Sequence, residues 1–163
     1  MRSILTWQGH GWLCLPARIY LGCIFLLACV HKIAHPGSFA IDIDTYDILP
    51  IQAVNLMAIT LPWVELVVGL FLLLGVATRA AAMAGAGMLV MFLAAVLVAL
   101  ARGMDMSCGC FASQAVANED PISYWTILRD SAWLVTAMYI AVFDRRAIGL
   151  ARLAEGLLYK PHK

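Results

Sequence analysis

Four long apolar runs, at about 13–34, 51–76, 80–101 and 124–143, leave this 163-residue chain little freedom in how it folds. Each is close to the roughly 20 residues a helix needs to cross a hydrocarbon layer of about 30 Å. Inside such a layer the backbone N–H and C=O groups must be satisfied within the segment, which a helix achieves. The expected fold is therefore all-α: an integral membrane four-helix bundle, with 1–163 forming a single membrane domain. The segments between the runs are too short for a soluble domain. Composition agrees, with 63% hydrophobic and 13% charged residues and a mean hydropathy of +0.87. A net charge of +1 offers no basic field for nucleic acid, so the expected surroundings are membrane lipid.

The punctuation between runs is specific. Pro36 closes the first run and Pro50 opens the second, because proline lacks an N–H and restrains the residue before it. Gly75 and Thr78-Arg79 separate the second and third runs, predicting a tight hairpin. Within the loop at 35–50, Phe39, Ile43 and Tyr46 recur at helical spacing, predicting a short interfacial helix over 38–48 that caps the bundle. The loop at 102–123 carries small residues, Pro121 and a Cys-Gly-Cys. In the tail at 144–163, Ile148, Leu150, Leu153, Leu157 and Leu158 alternate with Arg145, Arg146 and Arg152 in a pattern suited to a membrane surface.

Orientation follows from Lys and Arg, which short cytoplasmic loops retain. Arg2, Arg79, Arg145, Arg146, Arg152, Lys160 and Lys163 fall on one side. The opposite loops hold Lys32 and Arg102 together with Asp42, Asp44, Asp47, Asp105, Glu119 and Asp120. Both termini are thus expected in the cytoplasm, and the loops at 35–50 and 102–123 in the periplasm, for a multi-pass protein of the bacterial inner (cytoplasmic) membrane. A competing reading takes Leu26-Leu27-Ala28-Cys29 as a lipoprotein processing site. It is disfavoured because the apolar run continues past Cys29 into His31-Lys32-Ile33 with no polar tether.

Cys108 and Cys110 are the leading candidates for chemistry, with a possible enzymatic role as a thiol–disulfide oxidoreductase. A disulfide between residues two apart closes a strained ring that is easier to reduce, suiting it to exchange rather than stapling. An oxidising compartment makes such exchange useful. The structural alternative is a pair of small residues packed on the bundle, or a bond from one of them to Cys29. Met104, Met106, Cys108 and Cys110 also alternate, so an extended segment would turn four sulfurs to one side, a set suited to Cu(I), with His31 as a further ligand. A soft-metal (copper) binding or transfer protein is therefore the second functional reading. A non-catalytic membrane scaffold is the third.

Inside the second run stands Glu65, three residues after Pro62; a charge at the bilayer centre costs about 2.5–3.5 kcal/mol on insertion scales unless compensated. It is expected to face the bundle interior, with Arg18 and Arg129 as the available cations and Asp130 as a second acid. Together with Trp63 and Trp133, which could line a ring-binding pocket, these residues are the candidates for a quinone head-group pocket or a proton path; the bland alternative is an ion pair that fixes helix register. Cys14, Cys23 and Cys29 are expected to pack within the first helix, with Cys29 nearest the Cys-Gly-Cys loop. The four-residue spacing of His31 and His35 does not predict a shared helical face, because Pro36 disfavours helix at His35.

Several motifs together resemble the DoxX-like membrane proteins, specifically the branch of the methylamine utilisation protein MauE. They are Arg18-x-x-Leu21-Gly22-x-x-Phe25, His31-Lys32-Ile33 with Pro36, Tyr46-x-x-Leu49-Pro50, Leu61-Pro62-Trp63-x-Glu65-Leu66-x-x-Gly69, and Arg102-Gly103 leading into Cys108-Gly109-Cys110-Phe111. The resemblance implies a four-helix membrane protein that works with a thioredoxin-like periplasmic partner and assists maturation of a secreted client, the disulfide-rich methylamine dehydrogenase. Two departures are Cys29, where the family commonly has Gly, and Ala112, where Gly usually follows Cys-Gly-Cys-Phe.

Overall fold

The computed structural model describes residues 10–104 and 124–144. Among the described residues five helices follow one another: α1 (His10–Ala34), α2 (Pro36–Thr45), α3 (Ile51–Leu74), α4 (Thr78–Ala101) and α5 (Tyr124–Phe143). The architecture is all-α, and among the described residues there is no strand. The four long helices each have the length and apolarity to cross a membrane. Large apolar side chains such as Trp12, Leu27, Leu56, Met83 and Val135 are more than half exposed around the bundle. That outside suits acyl chains, not water, and the chain is a multi-pass membrane protein.

Local chemistry sets the breaks. His35, preceding a proline, leaves the helical region at φ −131° and ψ 64°, and Pro36 then begins α2 where a missing N–H is harmless. α3 ends at Leu74, two residues before the end of the apolar run, because Gly75 turns left-handed at φ 72°. Ala77 follows at φ 43° and leads directly into α4. Within α3, Pro62 is accommodated without ending the helix, leaving the Ala58 carbonyl without its usual donor.

Packing divides the bundle into two close pairs, α1 with α3 and α4 with α5, while α2 rests mainly on α3. Gly22 and Gly69 allow the first pair to approach. A Cβ at Gly22 would lie 2.9 Å from Leu73 Cγ and 3.1 Å from the Gly69 carbonyl, and one at Gly69 would lie 3.0 Å from Leu26. Small residues at a crossing are how membrane helices gain contact without a hydrophobic driving force.

The two ends of the bundle are built differently. Towards the end bearing the Gly75–Ala77 turn, all four long helices contribute to one buried cluster that includes Leu21, Phe25, Leu72, Ala82, Ala137 and Ile140. Arg18 Nη1 reaches Asp144 Oδ2 at 3.4 Å there, with both side chains 3% exposed. Arg79 Nε donates to the Ala141 carbonyl at 3.0 Å, tying α4 to α5. At the other end, α2 caps the bundle. Arg102 Nη1 donates to the carbonyls of Tyr46 and Asp47, each at 3.2 Å, fastening the end of α2 to the end of α4. Tyr46 packs with Ala99, and Met104 packs against them.

Candidate functional site

Beneath α2, between the two helix pairs, lies a cavity of about 390 Å³. Its walls are largely apolar, from Phe25 and Ala28 of α1, Phe39 and Ile43 of α2, Leu61 of α3, Met88 and Phe92 of α4, and Trp133 of α5. Four charged residues, Lys32, Asp42, Glu65 and Asp130, also line it. All four are buried, with relative exposures of 7%, 5%, 7% and 1%.

Helical spacing explains how these side chains converge. Met57, Leu61 and Glu65 recur every four residues along one stripe of α3, and Asp130 and Trp133 are three apart on α5. Lys32 occupies the last turn of α1, and its amine donates to Glu65 Oε1 at 2.7 Å. The same amine lies 4.9 Å from the centre of the Phe39 ring, so one cation joins α1, α2 and α3. Asp130 Oδ1 accepts from Arg129 Nε at 3.1 Å.

Two of these carboxylates, Glu65 and Asp130, each keep one oxygen unanswered. Glu65 Oε2 and Asp130 Oδ2 are buried and have no hydrogen-bond partner among the described residues. An unmet buried acceptor costs about 1–3 kcal/mol, and more when charged. Two such oxygens in residues bordering one cavity make it a place where donors are wanted.

The residues expected to form the polar pocket are therefore only partly together. Glu65 lines the cavity, but its hydrogen-bonded cation is Lys32, not Arg18 or Arg129. Arg18 is fourteen residues before Lys32 on α1, about 21 Å along the helix axis, and its ion-pair partner is Asp144. Arg129, one residue from Asp130, is turned about 100° away from it and does not border the cavity; its guanidinium sits 4.8 Å from the centre of the Trp133 ring. Trp63 is 56% exposed and lies outside the cavity lining, because two residues from Glu65 means about 200° around the helix. Trp133, the other tryptophan expected at a ring-binding pocket, does supply an aromatic wall, and its Nε1 donates to the Tyr20 hydroxyl at 3.2 Å. In the sequence Lys32 groups with the loop charges, which hides it as a pocket residue. The signal available was its place in the last turn of an otherwise apolar helix.

Cys108, Cys110 and Met106 lie outside the described residues, as does the tail from 145 onward. Cys29 is fully buried, with its thiol donating to the Leu26 carbonyl at 3.2 Å. The rings of His31 and His35 do approach, with centroids 5.1 Å apart, because a helical hydrogen bond from His35 N to His31 O at 2.9 Å persists across the break. No group of three or more His, Cys, Asp or Glu among the described residues is placed to hold a metal ion.

Comparison with known proteins places this architecture. Residues 10–143 match the family described as methylamine utilisation protein MauE. The chain belongs to the MauE family. It is 31% identical over 140 residues to the methylamine utilization protein MauE of Paracoccus denitrificans, covering 85% of this chain and 73% of that relative. No solved structure matches the chain. The MauE match runs from the start of α1 to the end of α5, so it takes in both the cavity residues and the Cys-Gly-Cys segment.

Proposed function

We propose that this chain serves methylamine utilisation as a membrane thiol–disulfide redox protein. Cys108 and Cys110 exchange with a thioredoxin-like periplasmic protein and thereby assist maturation of a secreted client such as methylamine dehydrogenase. The observation that carries this reading is a Cys-Gly-Cys within the stretch matched to the MauE family. Spacing supports exchange, because a two-residue ring favours a reducible bond. Charge supports the compartment. Seven Lys and Arg fall on the side of the termini, and the two opposite cations both have structural partners, Lys32 on Glu65 and Arg102 on the end of α2. The protein then lies in the inner membrane with both termini cytoplasmic, the family belongs among the DoxX-like proteins, and a quinone serves as the carrier for electrons within the membrane.

The test is a trapping experiment in cells. Cys110→Ser leaves Cys108 able to attack a partner disulfide but removes the resolving thiol. A mixed disulfide with a thioredoxin-like protein is expected to accumulate and to vanish on reduction. If neither single variant, Cys108→Ser nor Cys110→Ser, captures any partner, and the wild-type thiols keep one redox state under oxidising and reducing growth, the reading is wrong.

A further inference from the structure

We propose that the cavity beneath α2 binds the dihydroxy-aromatic head of a membrane-soluble quinol, and binds it more tightly than the corresponding quinone. The inference rests on the redox reading for its use, though its geometry stands apart from the cysteines. Three observations point to it.

The first is the pair of orphaned oxygens. Glu65 and Asp130 each face a cation through one carboxylate oxygen, Lys32 at 2.7 Å and Arg129 at 3.1 Å, and that oxygen acts as an acceptor in each. Their second oxygens are buried without donors among the described residues. A ligand that completes this site must bring hydrogen-bond donors. A quinol carries two O–H groups, whereas a quinone carries only acceptors: the Lys32 ammonium can meet one of its carbonyls, and the other is set against a carboxylate.

The second is the shape and polarity of the space. At about 390 Å³ it falls within the roughly 300–1,000 Å³ of small-molecule sites. Leu61, Met88, Phe92 and Trp133 offer apolar contact for a ring and the start of a tail. A one-carbon amine would bring donors but leave these walls uncovered.

The third is access. Ile48, Leu49, Met91 and Val98 line the cavity and are also exposed, by 46%, 36%, 43% and 38%. They lie on the connection between α2 and α3 and on the outer half of α4, so the cavity opens sideways through an apolar mouth. A ligand dissolved in the bilayer enters there without crossing water.

Preference for the quinol sets a direction. Tenfold tighter binding of the reduced form raises the potential of the bound two-electron couple by about 30 mV. Electrons are then drawn from dithiol to quinone. One S–S bond forms as two S–H bonds break, and the two electrons and two protons convert two quinone carbonyls into two hydroxyls.

Calorimetric titration of the full chain in phosphatidylcholine nanodiscs tests the proposal, using a decyl-substituted benzoquinol and its quinone as probes and empty nanodiscs as the blank. Saturable binding of the quinol at least tenfold tighter than the quinone is expected. Glu65→Gln and Asp130→Asn, each removing an acceptor, should weaken the quinol about tenfold and leave the quinone within about twofold. Ala95→Phe fills the cavity while keeping both acceptors, and should abolish binding of both probes with unchanged helicity. Equal or tighter binding of the quinone, no binding beyond empty nanodiscs, or full quinol affinity in Ala95→Phe would each overturn the proposal. None of these outcomes depends on Cys108 or Cys110, so the site can fail while the thiol chemistry stands, and the reverse.

Discussion

The two ends of this bundle solve the same problem in opposite ways. Both bury an ion pair between helices, Arg18–Asp144 at the turn end and Lys32–Glu65 at the α2 end. At the turn end the pair sits beside a continuous apolar cluster drawn from four helices. At the α2 end the pair borders about 390 Å³ of open space, which the buried carboxylates of Asp42 and Asp130 also line. The contrast separates stability from function: a closed end holds the helices in register, and an open end holds polar groups ready for something else.

This contrast can be broken by mutation. The largest expected effect is at the closed end, where Arg18→Met strands Asp144 and should cost about 3–5 kcal/mol in thermal unfolding of the detergent-solubilised protein. Lys32→Met at the open end should cost less, about 1–3 kcal/mol, because the cavity lets water or ligand reach Glu65. Equal losses would mean that the ends are not distinct. A second pair compares apolar side chains. Leu72→Ala, in the closed cluster and fully buried, should cost about 3 kcal/mol, while Leu61→Ala on the cavity wall should cost about 1 kcal/mol, since a site already beside a void loses fewer contacts.

The helix crossing that fixes both ends offers a smaller effect. Gly69→Ala places a methyl 3.0 Å from Leu26 and 3.1 Å from the Gly22 carbonyl, and should destabilise by about 1–3 kcal/mol. The change separates α1 from α3 and so should loosen Lys32 from Glu65; weaker quinol binding by the same variant would sharpen the link between crossing and cavity. Smallest of all is Ala95→Leu, which fills part of the cavity and should leave the unfolding temperature within about two degrees while reducing probe binding.

Much of this was legible in the sequence. Apolar run length gave the four spans, and Phe39, Ile43 and Tyr46 gave a capping helix, which forms over Pro36–Thr45. The same spacing rule shows where reading stopped short. Glu65 and Trp63 are two residues apart, so they point to nearly opposite sides of α3, and only Glu65 borders the cavity. Arg18 reads as available to Glu65 because both are charges inside apolar runs, but the two differ in depth along the bundle, and Arg18 belongs near the turn end with Asp144. Lys32 was hidden for the converse reason. A lysine at a helix end is normally assigned to the interface, and nothing in one sequence reveals that its stem turns inward to meet a neighbouring helix. The empty space itself had no sequence signature, since a void is set by how four helices cross.

The proposed role of Cys108 and Cys110, carrying electrons for the disulfides of a secreted client, is open to one direct measurement. In cells whose chain carries both Cys108→Ser and Cys110→Ser, the free thiols of the proposed client, methylamine dehydrogenase, are counted by alkylation and mass spectrometry. The expected result is a client rich in unpaired thiols and poorly matured, although the variant chain reaches the membrane at normal levels. A client with its full complement of disulfides in that strain would contradict it.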